Sequence, residues 1–285
     1  IQIKQKVNFL SNEVYGFSEN REGEVAQHVQ AFMISSLLSK YKEIVKLVPV
    51  SRNKTEFLFN NLLSVVGELE MLGFKVLCLT ADNNRINRNC FDKLMHNGIE
   101  PFFYSKTFPN LKTFLLFDAP HMLKCIRNNW INQKNHEKSF LFPSFSNIDN
   151  CTHSNFTDLR NLYFKEKDKQ IKLGFKLSYA SLFPSNVERQ KVSLALKIFD
   201  ETTCAALQAS SDSKSSTSLF INHILNFWKI FIINSPDKGF HLSMISVYHS
   251  WIILLIGLIN GKIWTPIMEN FQGNHFTPFH FLVVA

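Results

Sequence analysis

The chain has 285 residues, enough to bury a sizeable core in two domains or in one domain with an insertion. Its formal net charge of +8 favours a polyanionic partner, with nucleic acid ahead of an acidic membrane surface. The five cysteines form no CxxC pair, which argues against a zinc site and a disulfide framework and is typical of reduced intracellular thiols. The residues at the N-terminus have no signal-peptide pattern, so we expect no signal peptide and expect the chain to be a fragment.

The first half of the chain alternates extended and helical patterns. Residues 51–74 carry apolar side chains at helical spacing, and Gly73 stands where a C-cap would end that helix. Residues 75–82 and 113–118 are apolar runs typical of buried strands. The other predicted elements are strands at 13–19, 28–38 and 43–51 and a helix at 84–98. This alternation predicts an α/β sheet with parallel strands at its centre.

An aspartate ends each of the two buried strands, Asp82 in the first and Asp118 in the second. Ligands of such sheets gather beyond the carboxyl ends of the strands, where we expect both side chains. A carboxylate fixed there suits Mg²⁺, which binds through one or two carboxylates plus phosphate oxygens. The alternative is that each aspartate caps the following helix, and for Asp82, in "ADNNR", that is the favoured interpretation.

A basic helix is predicted directly after Asp118, in "FDAPHMLKCIRNNW". His121, Lys124 and Asn128 recur at spacings of three and four residues and therefore share one helix face. Cations on this helix would lie beside a phosphate backbone if Asp118 binds a metal ion. The alternative is that they only solvate the helix surface.

The second half of the chain contains two apolar stretches. Residues 218–233 have helical apolar spacing interrupted by His223 and Lys229, which predicts a helix in a soluble bundle. Residues 242–259 approach the length of a membrane span, but polar side chains interrupt them, and we predict a buried core helix instead. Residues 132–155 are polar, and we expect them to be irregular and exposed.

The stretch from Leu115 to Trp130 resembles the block that P-element-type transposases and the related THAP-domain transposase relatives carry at their second catalytic aspartate. Those enzymes show the pattern D-x-P-H-x-x-K-x-x-R-N-N. The similarity continues through residues 73–94 and 175–199. The chain matches every position of the pattern with Asp118, Pro120, His121, Lys124, Arg127, Asn128 and Asn129.

The resemblance implies an α/β fold in which an RNase H-like mixed sheet flanked by helices is interrupted by an all-α insertion domain. It places the N-terminal part of the RNase H-like domain at 1–145, the helical GTP-binding-like insertion at 146–260, and the start of the C-terminal part at 261–285. It also implies action in the nucleus, with transposon ends and target DNA as partners, and a homo-oligomer in the intact protein.

The activity that the resemblance implies is metal-dependent cutting and joining of DNA strands with Mg²⁺ or Mn²⁺ held by three carboxylates. Asp118 would be the second of these acids and Glu269, in "WTPIMENFQGN", the third. The first belongs to a D-E-x-x-I pattern whose isoleucine corresponds to Ile1. That acid thus lies outside the chain, and we expect the chain by itself to be inactive. Lys112, Lys124 and Arg127 are predicted to contact DNA phosphates, by their position beside Asp118.

GTP is the second cofactor that the resemblance implies. Lys176 and Val192 match positions that contribute to the nucleotide pocket of the family. Two acids expected near that pocket are replaced, one by Pro266 and one by Lys229, so GTP binding is expected to be weakened. For Lys176 the alternative is a surface lysine with no ligand.

Two functions are therefore open. The first is a fragment of a P-element-like DNA transposase. The alternative is a degenerate or domesticated module that binds DNA or mediates oligomerisation without cleavage, and it predicts DNA binding that depends on salt and requires no metal.

Overall fold

The computed structural model describes residues 6–8, 13–37, 39–98, 100–144, 147–210, 216–231 and 283–284. These residues form two compact units, one that ends at Asp118 and includes Val283–Val284, and one that begins at Ala119. The division falls at Asp118, before the helix that follows it, and not near residue 145, because that helix packs against helices of the second unit.

The first unit contains eight of the described strands and two helices. The strands are β1 (Lys6–Asn8), β2 (Glu13–Tyr15), β3 (His28–Ser35), β4 (Lys42–Val50), β5 (Cys78–Ala81), β6 (Phe102–Tyr104), β7 (Lys112–Phe117) and β10 (Val283–Val284), and the helices are α1 (Thr55–Met71) and α2 (Arg85–Leu94). All the strands and helices predicted from the first half of the sequence are present, and β1 and β6 are additions.

Six of these strands form one mixed sheet in the order β4-β3-β10-β5-β7-β6. The pair β5 and β7 is parallel, as the alternating pattern predicted, whereas β3 and β4 are antiparallel. The strand β10 lies between β3 and β5, antiparallel to the first and parallel to the second. The sheet therefore joins residues from distant parts of the sequence.

The helix α1 packs its apolar side against this sheet. Leu62, Val66 and Leu69 are buried in the same core as Val48 and Leu79. The helix ends where the glycine predicted it to end: Gly73 has a φ of +89°, and its N–H donates to the carbonyl of Glu70. The periodic apolar pattern is thus the physical reason for both the helix and its orientation.

The second unit is built around an aromatic core. Trp130 is fully buried, its Nε1 donates to the carbonyl of Ser154 over 3.2 Å, and its ring packs against four phenylalanines. These are Phe140, Phe156, Phe199 and Phe220. Its elements are α3 (Ala119–Asn132), β8 (Ser139–Ser144), β9 (Asn147–Asn155), α4 (Phe156–Glu166), α5 (Tyr179–Leu182), a 3-10 turn (Glu188–Gln190), α6 (Val192–Ile198), α7 (Glu201–Ser210) and α8 (Ser216–Phe231).

Two predictions for the second half of the chain have different outcomes. The expectation that residues 132–155 are irregular was wrong, because β8 and β9 form an antiparallel hairpin that buries Phe140 and Phe142 in the core. The helix predicted over 218–233 is present as α8. Residues 242–259 lie outside the described part of the chain, within which no helix is long and apolar enough to cross a membrane.

Candidate functional site

The carboxyl edge of the β5 and β7 pair holds the two predicted aspartates. Ala81 and Phe117 are register partners, so the residues that follow them, Asp82 and Asp118, leave the sheet side by side. The backbone N–H of Asp118 donates to the carbonyl of Ala81 over 2.8 Å, which fixes the start of its side chain. Asp118 is half-buried and Asp82 is exposed. The prediction that both lie at one sheet edge is confirmed.

Asp82 organises the turn that leads into α2. Its Oδ1 accepts hydrogen bonds from the side-chain amides of Asn84, at 2.6 Å, and Asn87, at 2.7 Å. Asn84 in turn caps α2, because its Oδ1 accepts from the N–H groups of Ile86 and Asn87. These bonds support the interpretation of Asp82 as a turn residue, and they commit one of its two oxygens.

Of the two metal ligands predicted from the sequence, the structure describes Asp118. Glu269 lies outside the described residues, and within them no group of three or more His, Cys, Asp or Glu side chains is close enough to hold a metal ion. A single rigid carboxylate still fits Mg²⁺, which commonly binds through one or two carboxylates and completes its shell with water and phosphate oxygens. Asp118, on the end of a buried strand, has the chemistry and the fixed position for that role.

Lys112 does not lie beside Asp118. It is the first residue of β7, whereas Asp118 follows the last one. At roughly 3.3 Å per residue, the strand places the two residues about 20 Å apart, at opposite ends of β7. The ammonium of Lys112 lies 4.1 Å from the ring centre of Phe102, a cation–π contact. The predicted position was therefore wrong.

Arg127 is in the interior of the second unit and is fully buried. Its Nε donates to Oδ1 of Asn128, and its Nη2 donates to the carbonyl of Arg189, each over 2.7 Å. Burial, with a smaller effect from the charge of Arg189, lowers the pKa of the Arg127 guanidinium to about 10. A DNA phosphate cannot reach a guanidinium in this position, so the geometry overturns the predicted contact. Lys124 is half-buried and stays a predicted DNA contact.

The two residues predicted to bind GTP both lie in the second unit. Lys176 precedes α5, and its Nζ lies 2.7 Å from Oδ2 of Asp200. Burial opposes ionisation of Asp200, but hydrogen bonds from Lys176 and Thr202 outweigh it and lower the pKa of this carboxyl. Val192 is the half-buried first residue of α6. Lys176 therefore already has an anionic partner.

One group of surface residues in this unit was not anticipated from the sequence. Phe164 and Tyr179 are exposed aromatic residues, and several lysines lie between them in the sequence. Aromatic residues interleaved with lysines, as in "LYFKEKDKQIKLGFKLSY", are the signal that could have indicated this surface.

Comparisons with known proteins agree with the motif around Asp118. A family model described as "TNP-like, RNase H N-terminal domain" matches residues 1–95. The Drosophila melanogaster protein "Transposable element P transposase" is 22% identical over 211 residues, which cover 72% of this chain and 26% of the relative. The chain therefore spans about a quarter of that protein.

A solved structure also matches. It is the Drosophila P element transposase strand transfer complex, with a TM-score of 0.64 and 17% identity over 85% of this chain and 50% of the matched chain. At that identity the match concerns the fold alone, and together with the RNase H family model it agrees with the predicted RNase H-like fold. Its motif, its family-model match and its fold agree with one another, and all three make the chain similar to the P-element-type transposases.

Proposed function

We propose that the chain is part of a DNA transposase that cuts and joins DNA strands with Mg²⁺ or Mn²⁺, and that Asp118 is one of its metal ligands. The observation that carries the proposal is the position of Asp118 at the end of β7, held to β5 by a backbone hydrogen bond. The similarity to a protein called a transposase, and to one solved in a strand transfer complex, supports DNA as the partner.

Asp118 suits this chemistry because its position is set by the sheet before any ligand arrives. Its backbone continues a buried parallel strand, so its carboxylate costs little ordering when it takes up a cation. Bound divalent cations supply an activated attacking oxygen and stabilise the leaving oxygen of the DNA strand. Glu269 is proposed as a further ligand on the strength of the resemblance alone.

The remaining parts of the proposal concern partners and place of action. Lys124, half-buried on α3, is proposed to contact DNA phosphates. Transposition acts on chromosomal DNA, and we accordingly propose that the intact protein works in the nucleus. The resemblance alone supports the further proposal that the intact protein is a homo-oligomer.

GTP is the less supported of the two proposed cofactors. Lys176 would have to exchange the carboxylate of Asp200 for a phosphate group in order to contact the nucleotide. The pair is partly exposed, with the two side chains 43% and 21% accessible, so such an exchange needs no unfolding. We propose this exchange as the way in which GTP would be bound, and Val192 as a second contact on the strength of the resemblance alone.

A second candidate is a DNA-binding or oligomerisation module without cleavage. It is favoured by the use of Asp82 in the α2 turn, which commits one of the two carboxylates at the edge to a structural role. This candidate needs only the basic surface of the chain, and its affinity for DNA would fall as salt rises, with no response to metal.

Metal binding separates the two candidates. Binding of Mn²⁺ should be measured by electron paramagnetic resonance in the presence of DNA for the chain, for Asp118→Asn, and for Asp92→Asn as an exposed control on α2. The transposase proposal predicts binding that Asp118→Asn weakens at least about tenfold and that Asp92→Asn leaves unchanged. An affinity for DNA that is the same with and without Mn²⁺, and the same in Asp118→Asn, would favour the module instead.

A further inference from the structure

We infer that the second unit carries a binding site for unpaired DNA, formed by a row of aromatic side chains beside a lysine-rich loop. The inference rests on the proposed function only for the identity of the nucleic acid as DNA. Its site involves neither Asp118 nor a metal ion. Four side chains, named here the aromatic row, form it: Tyr163, Phe164, Phe183 and Tyr179.

The aromatic row is continuous. Ring centres of Tyr163 and Phe164 are 5.5 Å apart, those of Phe164 and Phe183 are 6.1 Å apart, and those of Phe183 and Tyr179 are 4.8 Å apart. The last pair is stacked, with 26° between the ring planes. Four rings in contact thus link the C-terminal half of α4 to α5.

Two members of the aromatic row present much of their area to solvent. Phe164 is 52% exposed and Tyr179 is 61% exposed, although a large aromatic side chain gains most by burial. Phe183 is held from behind, because the guanidinium of Arg160 lies 4.3 Å from its ring centre and donates to the carbonyl of Leu182. The two exposed rings of the row, Phe164 and Tyr179, are therefore available for stacking.

The segment that follows Phe164, from the last residues of α4 into the loop after it, is strongly basic. Its four lysines are exposed, and no ion pair within the described part of the chain neutralises them: they are Lys165, Lys167, Lys169 and Lys172. The acids of the same stretch are Asp168, which is exposed, and Glu166, which is buried and turned inward. The surface next to the aromatic row therefore has a net positive charge.

Glu166 keeps this loop close to α4. Its carboxylate accepts hydrogen bonds from the N–H groups of Leu173, at 3.2 Å, and Gly174, at 2.9 Å. The turn at Gly174 packs tightly, because a Cβ there would lie 3.3 Å from Cδ2 of Leu162. The lysines are thus tethered at both ends of the loop, beside the aromatic row.

Unpaired nucleic acid matches this combination better than other polyanions do. Each base of a single strand offers a flat face for stacking on an aromatic ring, and its phosphates attract lysines. A duplex hides those faces in its own stack, and an acidic peptide would satisfy the charge but not the rings. The charge and the ring faces together point to a single strand.

The test is fluorescence anisotropy with a labelled single-stranded oligothymidylate, in EDTA so that no metal ion takes part. Three ligands of equal length are compared: the single strand, a duplex, and a single strand with abasic sites in place of bases. We expect the chain to bind the single strand more tightly than the other two. Equal binding of the abasic strand would show that only phosphates are recognised, and it would overturn the inference.

Substitutions locate the site. Tyr179→Ala should weaken binding of the single strand by about 5- to 100-fold, since stacking on one aromatic ring contributes that much, and Phe164→Ala should do the same. Tyr179→Phe keeps the ring, and Val187→Ala removes a 74% exposed apolar side chain elsewhere in the unit, so both should retain full affinity. Full affinity in Tyr179→Ala, or an equal loss in Val187→Ala, would overturn the inference.

The result is independent of the proposed cleavage. Tyr179→Ala should weaken single-strand binding in EDTA and should leave Mn²⁺ binding unchanged, so the two proposals can fail separately. Sedimentation velocity supplies the last check: self-association that Tyr179→Ala abolishes would make the aromatic row a contact between copies of this chain and overturn the inference. If Phe164→Ala destabilises the unit, Tyr179→Ala and the abasic strand still decide the question.

Discussion

The guanidinium of Arg127 donates a hydrogen bond over 2.7 Å to the backbone carbonyl of Arg189, and this bond ties α3 to the turn before α6. Asn128 adds a second, longer bond of 3.3 Å to the same oxygen. Arg189 completes the connection in the other direction, because its Nη1 donates to Oδ1 of Asn132. Arg127 and Asn128, two residues of the motif that resembles P-element-type transposases, thus connect two segments within the second unit.

Arg127→Ala should lower the free energy of unfolding by about 2 to 4 kcal/mol, because it removes two hydrogen bonds of a charged group and a fully buried, packed side chain. Arg189→Ala is the matched control. It keeps the backbone acceptor and loses only the bond to Asn132, so its cost should stay below about 1 kcal/mol. Urea unfolding measures both. An Arg127→Ala chain that unfolds normally but binds DNA weakly would restore the original DNA-contact prediction.

Stability should decline in acid through His223. Burial lowers the pKa of this imidazole from its ordinary value of 6.5 to about 4. The unfolded chain therefore binds a proton near pH 6.5, whereas the folded chain resists protonation until about pH 4, so stability falls as the pH drops through this window. The loss should approach about 3 kcal/mol below pH 4.

The measurement for His223 is a series of urea unfolding curves between pH 7 and pH 4. His223→Leu should flatten the pH dependence over this window, and His136→Gln, a change at an exposed histidine, should leave it as it is. A slope that persists in His223→Leu would assign the effect to other groups.

The exchange proposed for GTP makes a signed prediction at Asp200. Asp200→Asn removes the carboxylate that competes with phosphate for Lys176, yet an asparagine can still accept the hydrogen bonds that Thr202 donates to Oδ1. A fluorescent GTP analogue should therefore bind Asp200→Asn more tightly and Lys176→Ala more weakly than the parent chain. Lys172→Ala, at an exposed lysine, is the control. No binding to any of the four chains would retire GTP as a cofactor.

Glu166 should stabilise the conformation of the lysine-rich loop. Glu166→Ala removes the acceptor of the Leu173 and Gly174 N–H groups and should cost about 1.5 to 3 kcal/mol, since hydrogen bonds to charged groups contribute in that range. Glu166→Gln keeps one carbonyl oxygen and should retain part of the protection. Hydrogen–deuterium exchange of these two amides is the readout. Unchanged protection in Glu166→Ala would mean that packing around Gly174 holds the loop without the carboxylate.

The parts of the fold that could be predicted from the sequence depend on local patterns. Helical spacing and a terminal glycine identified α1, and an apolar run ended by Asp118 identified β7 and its carboxyl edge. The predicted position of Lys112 beside Asp118 was wrong, although the strand pattern could have corrected it. A six-residue strand separates its first and last residues by about 20 Å.

The parts that could not be predicted depend on partners distant in sequence. The side chain of Arg127 meets a backbone carbonyl 62 positions away, and a carbonyl is present at every residue, so no sequence signal marks this one. The β8 and β9 hairpin was missed for a related reason. Its polar residues suggested a loop. Phe140 and Phe142, however, pack against Trp130 and Phe220, which belong to other elements.

The central position of β10 in the sheet has a consequence for the order in which the two units fold. Val284 pairs with Ile34 on one side and Leu79 on the other, so these contacts join strands that precede and follow the second unit in the sequence. Closing so long a loop carries a high entropic cost, and contacts of this kind form late in folding. During synthesis the second unit is made before Val284, and we expect it to fold first. Pulse-labelling hydrogen exchange should accordingly find the amides of β5 protected later than those of α4.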